Sequence, residues 1–308
     1  MATRKTAKKV LAAAINQAAY GSDAIQAAGQ PAFILTTGLD ITPMDGDTID
    51  RELDDGSLGN SMVTLVGTYV SVTGSVEIAG AGTATNAPAW EAIMVAAGYA
   101  GAAGEGEFQF SRVTDNTEKD ITVYVYRDGA LHKVTGARGN ITYNLNVQEV
   151  GTIEFELTGL YGGIVTQSMP AKPDFSGFLK PVPVGATYTT ISIGGQNVKA
   201  YSFQMNETNT VEYDENTQAE TVDITELAPT GSITILAEDL AAFNPFDIAK
   251  NETPLAMTVT HGTAAGNIFV LNLPVVQLMR PAYGDQNGRL TYEIEFNVIG
   301  TQHTVTTK

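Results

Sequence analysis

The sequence predicts a mainly β protein built from two tandem β-sandwich or barrel domains, each with a short flanking helix. Three observations carry that expectation. Residues 73–98 and 230–251 repeat one pattern: Thr-Gly-Ser, a strand with alternate apolar residues (Val76 and Ile78; Ile233 and Ile235), a short bridge, then a proline that opens a helix. A constant offset of 157 residues aligns Thr73 with Thr230 and Pro88 with Pro245. Flanking blocks echo in the same order, residues 44–50 in 205–212 and residues 153–159 in 294–300, with different loop lengths between them. Finally, 43% hydrophobic content supports real cores, and the abundance of Thr, Val, Gly, Asn and Ser favours strands and turns over helices. A chain of 308 residues accommodates two such units.

The expected organisation is an N-terminal domain over residues 1–165, a Pro/Gly-rich linker over 166–186 and a C-terminal domain over 187–308. Residues 1–30 are Ala-rich, weakly helical, and read as an arm broken at Tyr20-Gly21. Arg4, Lys5, Lys8 and Lys9 before an apolar run resemble a signal peptide only faintly. Asn16 and Gln17 cut the run short with no clear cleavage site, so the arm is read as retained. A strand follows over 32–39. Residues 41–60 concentrate Asp45, Asp47, Asp50, Glu52, Asp54 and Asp55 against Arg51 alone, which reads as a solvated loop or an extended hairpin.

Residues 62–78 alternate as one long strand or two. In the following helix Asn86 is the expected cap, Pro88 sits in the first turn, and Trp90, Ile93 and Met94 share a face that packs on the core before Gly98 stops it. Phe246 is the core-packing residue of the second, shorter helix. Strands are expected over 108–113 and 121–126, with Asp128-Gly129 turning the chain into 131–134, then over 141–147 and 152–157. Residues 159–185, with Gly162-Gly163 and prolines 170, 173, 181 and 183, refuse helix and central strand alike. Beyond them, strands are expected near 187–193, 198–205, 219–224, 232–236, 256–260, 268–273 and 290–299.

Two of these strands alternate cleanly. Ile153, Phe155 and Leu157 oppose Glu154 and Glu156; Ile294, Phe296 and Val298 oppose Glu293 and Glu295. Each domain therefore ends in a half-buried strand with a wet, carboxylate-bearing face.

Seventeen bases against thirty-four acids give a net charge of −17, shared evenly as −9 through Val165 and −8 beyond it. That excludes tight nucleic-acid binding through phosphate neutralisation and suits a surface that repels a polyanion. Cysteine is absent, so disulfides and thiolate chemistry are excluded. His132, His261 and His303 lie outside ligand spacing and read as surface or hairpin residues. The acidic stretch lacks the order of an EF-hand, and Gly80-Ala81-Gly82 lacks the spacing of a phosphate loop. No enzyme, metal or cofactor is expected. A surface β-sandwich binding module, such as an adhesin or glycan-binding domain, is the alternative of a different class.

Several stretches, taken in order, resemble the tail tube (major tail) proteins of tailed bacteriophages. They are residues 18–24 (Ala-Ala-Tyr-Gly-Ser-Asp-Ala), Leu39-Asp40-Ile41-Thr42-Pro43 with Asp50-Arg51, residues 74–82 followed by Ala87-Pro88-Ala89-Trp90 and Ala97-Gly98, and the Pro-rich crossover after Tyr161. The second copy departs from the pattern, with Asp247 at the place of Trp90 and no glycines matching 80–82.

The resemblance implies a non-enzymatic virion protein of a non-contractile tail, assembled in the host cytoplasm. Subunits would form stacked rings, here a homotrimer with pseudo-sixfold symmetry or alternatively a homohexamer, with DNA passing down the lumen. Its implied partners are other copies of itself, a tape-measure protein and the proteins at the tail ends. On that footing Glu154, Glu156, Glu293 and Glu295 are the expected lumen-facing acids. Asp45, Asp47, Asp50, Glu52, Asp54 and Asp55, with Glu207, Glu212, Asp214 and Glu215 of the second copy, are the expected inter-ring loop acids.

Overall fold

The computed structural model describes residues 3–29, 31–51, 53–54 and 60–308. Strands take 54% of the chain and helices 6%, and the sheets are antiparallel. The first half begins with β1 (Lys9–Ile15), α1 (Ala24–Ala28), β2 (Ala32–Ile34), β3 (Thr37–Ile49), β4 (Thr64–Glu77) and α2 (Glu91–Ala96). It continues with β5 (Tyr99–Ala103), β6 (Phe108–Arg112), β7 (Ile121–Arg127), β8 (Ala130–Asn146) and β9 (Thr152–Thr166). The second half opens with β10 (Thr189–Ile193), β11 (Gln196–Val198), β12 (Ala200–Asn206), β13 (Asn209–Glu215), β14 (Glu220–Leu227) and β15 (Thr230–Leu236). After α3 (Pro245–Lys250) come β16 (Leu255–His261), β17 (Phe269–Leu278), β18 (Ala282–Gln286), β19 (Arg289–Val298) and β20 (Thr304–Thr307).

One long ladder runs β3–β4–β9–β8–β12–β15–β19, with β17 and β18 sharing the far side of β19. Two shorter ladders adjoin it, and β13–β14 forms a separate two-stranded sheet. One is β2–β1–β7–β8; the other is β5–β6–β20–β17–β16–β10–β11. The two halves are stitched twice, by β8 to β12 and by β6 to β20. A single apolar cluster accordingly contains Val72, Phe110 and Phe155 from the first half and Phe203, Ile233, Phe269 and Phe296 from the second.

The matching stretches share one packing detail. Gly74 lies opposite Phe155 and Gly231 opposite Phe296. A side chain at Gly74 would meet the Phe155 ring at 2.8 Å, and one at Gly231 would collide with the Phe296 ring and the Gln204 carbonyl. Glycine lets each ring lie over its own sheet. Trp90, Ile93 and Met94 are buried, the indole N–H donating to the Ala79 carbonyl at 2.9 Å and the ring stacked on Phe110. In α3, Asn244 caps two backbone amides, Pro245 opens the first turn, and half-buried Phe246 packs against Tyr292 and Tyr283.

Several expectations require correction. The Ala-rich start is not a helical arm: residues Lys9–Ile15 form β1, paired along its whole length with β7, and Leu11 and Ala12 are fully buried. Tertiary packing overrides alanine's helical preference, since small side chains suit a strand covered on both faces. Asn86 does not cap α2, which starts after Trp90 with no side-chain cap. The strand expected over 32–39 is broken into β2 and the start of β3. Strand β9 runs on to Thr166 through Gly162-Gly163, a stretch expected to refuse central strand, because Gly159 and Gly162 allow β8 to approach closely. From 167 to 188 the chain has only an isolated bridge between Val150 and Pro183, yet Val184 is buried and Phe178 packs on the core. The ladder also shifts the upstream echo. Asp40 faces Thr73 and Asn206 faces Thr230, so Asn206 is the counterpart of Asp40 rather than of Asp45.

Candidate functional site

Residues directly opposite in a ladder project to the same face. One row across the long ladder reads Thr37, Ser75, Glu154, Thr142, Asn206, Thr230 and Asn297. The next reads Glu77, Thr152, Asn144, Gln204, Ser232 and Glu295, and a third reads Asn146, Ser202, Thr234 and Glu293. Glu156 lies between Thr73 and Asn140 on the same face. Every member is polar, and none is Lys or Arg. The structure thus brings Glu154, Glu156, Glu293 and Glu295 together, all exposed, on one wet face that crosses both halves without a break. On the opposite face Phe155, Phe203, Ile233 and Phe296 are buried, as the period-2 pattern demands.

This sheet ends in open edges. Among the described residues β3 pairs with β4 alone, and β18 with β19 alone. Such edges invite pairing with another chain.

Two hairpins extend from the sheet, one per repeat. The first is the distal part of β3 and β4, where Asp47 faces Val66 and Ile49 faces Thr64. It is the extended hairpin of the two forms expected for residues 41–60. Asp45, Asp47, Asp50 and Asp54 are exposed; Glu52 and Asp55 lie outside the described residues. Beside these acids the hairpin exposes Met44, Ile49, Leu65, Met62 and Val63. The second hairpin, β13–β14, carries Glu212, Asp214 and Glu215, all exposed. Residues 209–215 are therefore strand, not loop. The hairpins touch where Tyr69 and Tyr213 stack at 5.5 Å. The Tyr213 phenol is pushed up to about 12, first by desolvation and then by the carboxylates of Glu220 and Glu215.

Glu207 departs from the other acids, and its assignment as an inter-ring residue does not stand. It is fully buried, accepting from the Tyr99 hydroxyl at 2.5 Å, lying 3.0 Å from His303 Nε2 and 3.8 Å from the Arg112 guanidinium. Arg112 also donates to Asn209 at 3.1 Å, and Asn209 in turn donates to the Ala97 and Gly139 carbonyls at 2.9 and 2.8 Å. Burial holds the Tyr99 phenol well above its ordinary range, with the Glu207 carboxylate adding to it. The cluster ties β12, β6, β5 and the chain segment before β20 at the seam between the repeats. His303 is thereby buried rather than superficial, and so is His261, which lies 2.9 Å from the Thr189 hydroxyl. The alternation through Phe203 and Met205 points to residue 207 as the next inward position. That signal marks Glu207 as buried, but nothing local marks Tyr99, Arg112 or His303 as its partners.

A wide polar sheet face bounded by open strand edges is the surface of a structural building block. The chain belongs to the phage tail tube protein family, whose model matches residues 7–298. No curated protein matches the chain. The protein is a structural component of the virion tail that self-assembles into it, and families of this structural kind are typically non-enzymatic. No helix among the described residues is long and apolar enough to cross a membrane.

Replacing Glu207 with Ala is expected to lower stability by roughly 3–5 kcal/mol, because it strands a buried guanidinium and phenol. Chemical denaturation of the purified subunit measures this; a change within about 0.5 kcal/mol, the size typical of surface substitutions, would show that the buried cluster does not hold the seam.

Proposed function

We propose that three copies of this chain close into a ring with pseudo-sixfold symmetry, and that stacked rings form a tube lined by the polar face of the long sheet. The observation that carries this reading is the β8–β12 seam, which makes the two repeats neighbours in one continuous sheet. A ring of three chains then needs only one further seam per subunit, between the open edges at β3 and at β18. The contact is heterologous and closes by rotation. On this reading residues 1–165 and 187–308 are the two tube domains, joined by residues 166–186. The tail is non-contractile, rings assemble in the host cytoplasm, and the tube encloses a tape-measure protein and meets dedicated proteins at its ends.

Glu154, Glu156, Glu293 and Glu295, with Glu77, would form acidic bands around the lumen. Phosphates of passing DNA would meet repulsion screened over about 8 Å at physiological salt, enough to prevent adhesion without blocking transit. A one-residue slip would bury these carboxylates at a cost of several kcal/mol each, so the register that wets them is strongly favoured.

The exposed hairpin acids Asp45, Asp47, Asp50 and Asp54, with Glu212, Asp214 and Glu215, support contact with the adjacent ring. The same role is proposed for Glu52 and Asp55.

Three outcomes follow. The disassembled ring is expected to weigh three subunits, and its reconstruction to show threefold symmetry; six subunits per ring would overturn the trimer. Lysine at positions 154, 156, 293 and 295 together is expected to leave folding and tube formation intact while slowing or stalling DNA ejection, and normal ejection would remove the lumen assignment. Deleting residues 47–56 is expected to give folded subunits that no longer polymerise into tubes; long tubes in electron micrographs of the deletion would refute the stacking role.

A further inference from the structure

Within the chain, the β13–β14 hairpin folds back over the first repeat. Val222 is fully buried there, its carbonyl accepting from Arg138 at 2.9 Å and its amide donating to the Tyr20 hydroxyl at 2.7 Å. Arg138 also pairs with Asp223. The repeat gives each of these positions a counterpart. The 157-residue offset that aligns Gly231 with Gly74 places Leu65 at Val222 and Val66 at Asp223. Opposite Leu157 and Val298 in the ladders stand Gly139 and Val276, so Val275 occupies the place of Arg138 and Ile299 that of Thr158.

The two sites differ in a correlated way. The ion pair Arg138–Asp223 is replaced at both ends, by Val275 and Val66. Leu65 is 63% exposed where Val222 is 0% exposed, and Ile299 on the receiving face is 49% exposed. Apolar residues thus stand uncovered at both halves of a joint that the chain has already built once. We infer that the β3–β4 hairpin of one subunit docks across the second repeat of its neighbour, placing Leu65 and Val66 against Val275 and Ile299. The occupant of this face is a second copy of the same chain.

The internal seam also sets the register. Asn206 faces Thr142 and Gln204 faces Asn144. Their counterparts place Asp40 opposite Met279 and Thr37 opposite Ala282 of the neighbour, which keeps Thr37 and Glu293 on one polar face. This inference rests on the ring reading and adds to it the docking of the hairpin, an apolar contact in place of a charged one.

The chain has no cysteine, so engineered pairs test both parts cleanly. Val66→Cys with Val275→Cys is expected, on mild oxidation of assembled protein, to give covalent dimers and closed trimers on non-reducing gels, and neither single variant should do so. Asp40→Cys with Met279→Cys is the control for the seam alone. Links at 40–279 without links at 66–275 overturn the docking and leave the ring standing. Absence of both links in protein that still forms tubes overturns the docking and the proposed seam together. Absence of links and of rings overturns the ring reading itself. A second arm uses charge: Val66→Asp alone is expected to abolish ring assembly of a subunit with an unchanged melting temperature, and adding Val275→Arg is expected to restore it by recreating the internal pair. Normal assembly of Val66→Asp, or no rescue by Val275→Arg, overturns the docking.

Discussion

The seam between β8 and β12 decides the shape of everything around it. Five residue pairs, from Asn206 with Thr142 to Ser202 with Asn146, turn the β3–β4–β9–β8 half and the half built on β12–β15–β19 into one sheet. Backbone pairing alone would tolerate sliding. What opposes a slip is the buried cluster at one end of the seam, where Glu207 must reach Tyr99, His303 and Arg112 together. A shift by one residue would exchange Glu207 with a neighbour of opposite facing and leave a carboxylate and a guanidinium unpaired in the core. Asn140 reinforces the same alignment, donating to Asn206 and accepting from the Asn209 amide. Buried ion pairs add little net stability when compared with apolar packing. Their contribution here is register, and register is what keeps the polar rows of the two repeats in line.

The strands that carry the wet face were the easiest to read. Residues 153–157 and 294–298 alternate so regularly that their wet faces follow from period 2 alone, and the exposure of Glu154, Glu156, Glu293 and Glu295 agrees. Trp90, Ile93 and Met94 were equally legible, because a core-facing stripe at helical spacing leaves few alternatives. Local signals failed where distant partners decide the outcome. The alanines of β1 have no strand preference and become strand because β7 lies alongside. Strand β13 is too polar to stand out, and it forms because β14 pairs with it and the first repeat supports it from below. Strand β20 at the extreme C-terminus is short, and its pairing with β6 spans most of the chain. Glu207 combines both cases: alternation places it inward, but only the fold supplies the donors that make that position tolerable.

On the proposed ring reading, a duplicated chain would make two kinds of joint, and the two could differ chemically. A linker converts the internal contact into an intramolecular one, at an effective concentration of order millimolar. Under that advantage the joint can bear the desolvation of Arg112 and Glu207 and the ordering of Arg138, and gain specificity from them. A contact between separate subunits has no such help and must overcome lost translational and rotational freedom, several kcal/mol at least. Apolar surface is the better currency there, since its burial is favourable without exact geometry. The distribution of residues follows that logic: Arg138, Asp223 and Val222 inside the chain, Val275, Val66 and Leu65 at the counterpart positions. An exposed apolar hairpin is a hazard to a free subunit. Its acids offset the hazard: Asp45 and Asp47 on the same hairpin, within a chain of net charge −17, repel indiscriminate association. The same charge that would keep DNA off the wall of a tube therefore also discourages free subunits from premature aggregation.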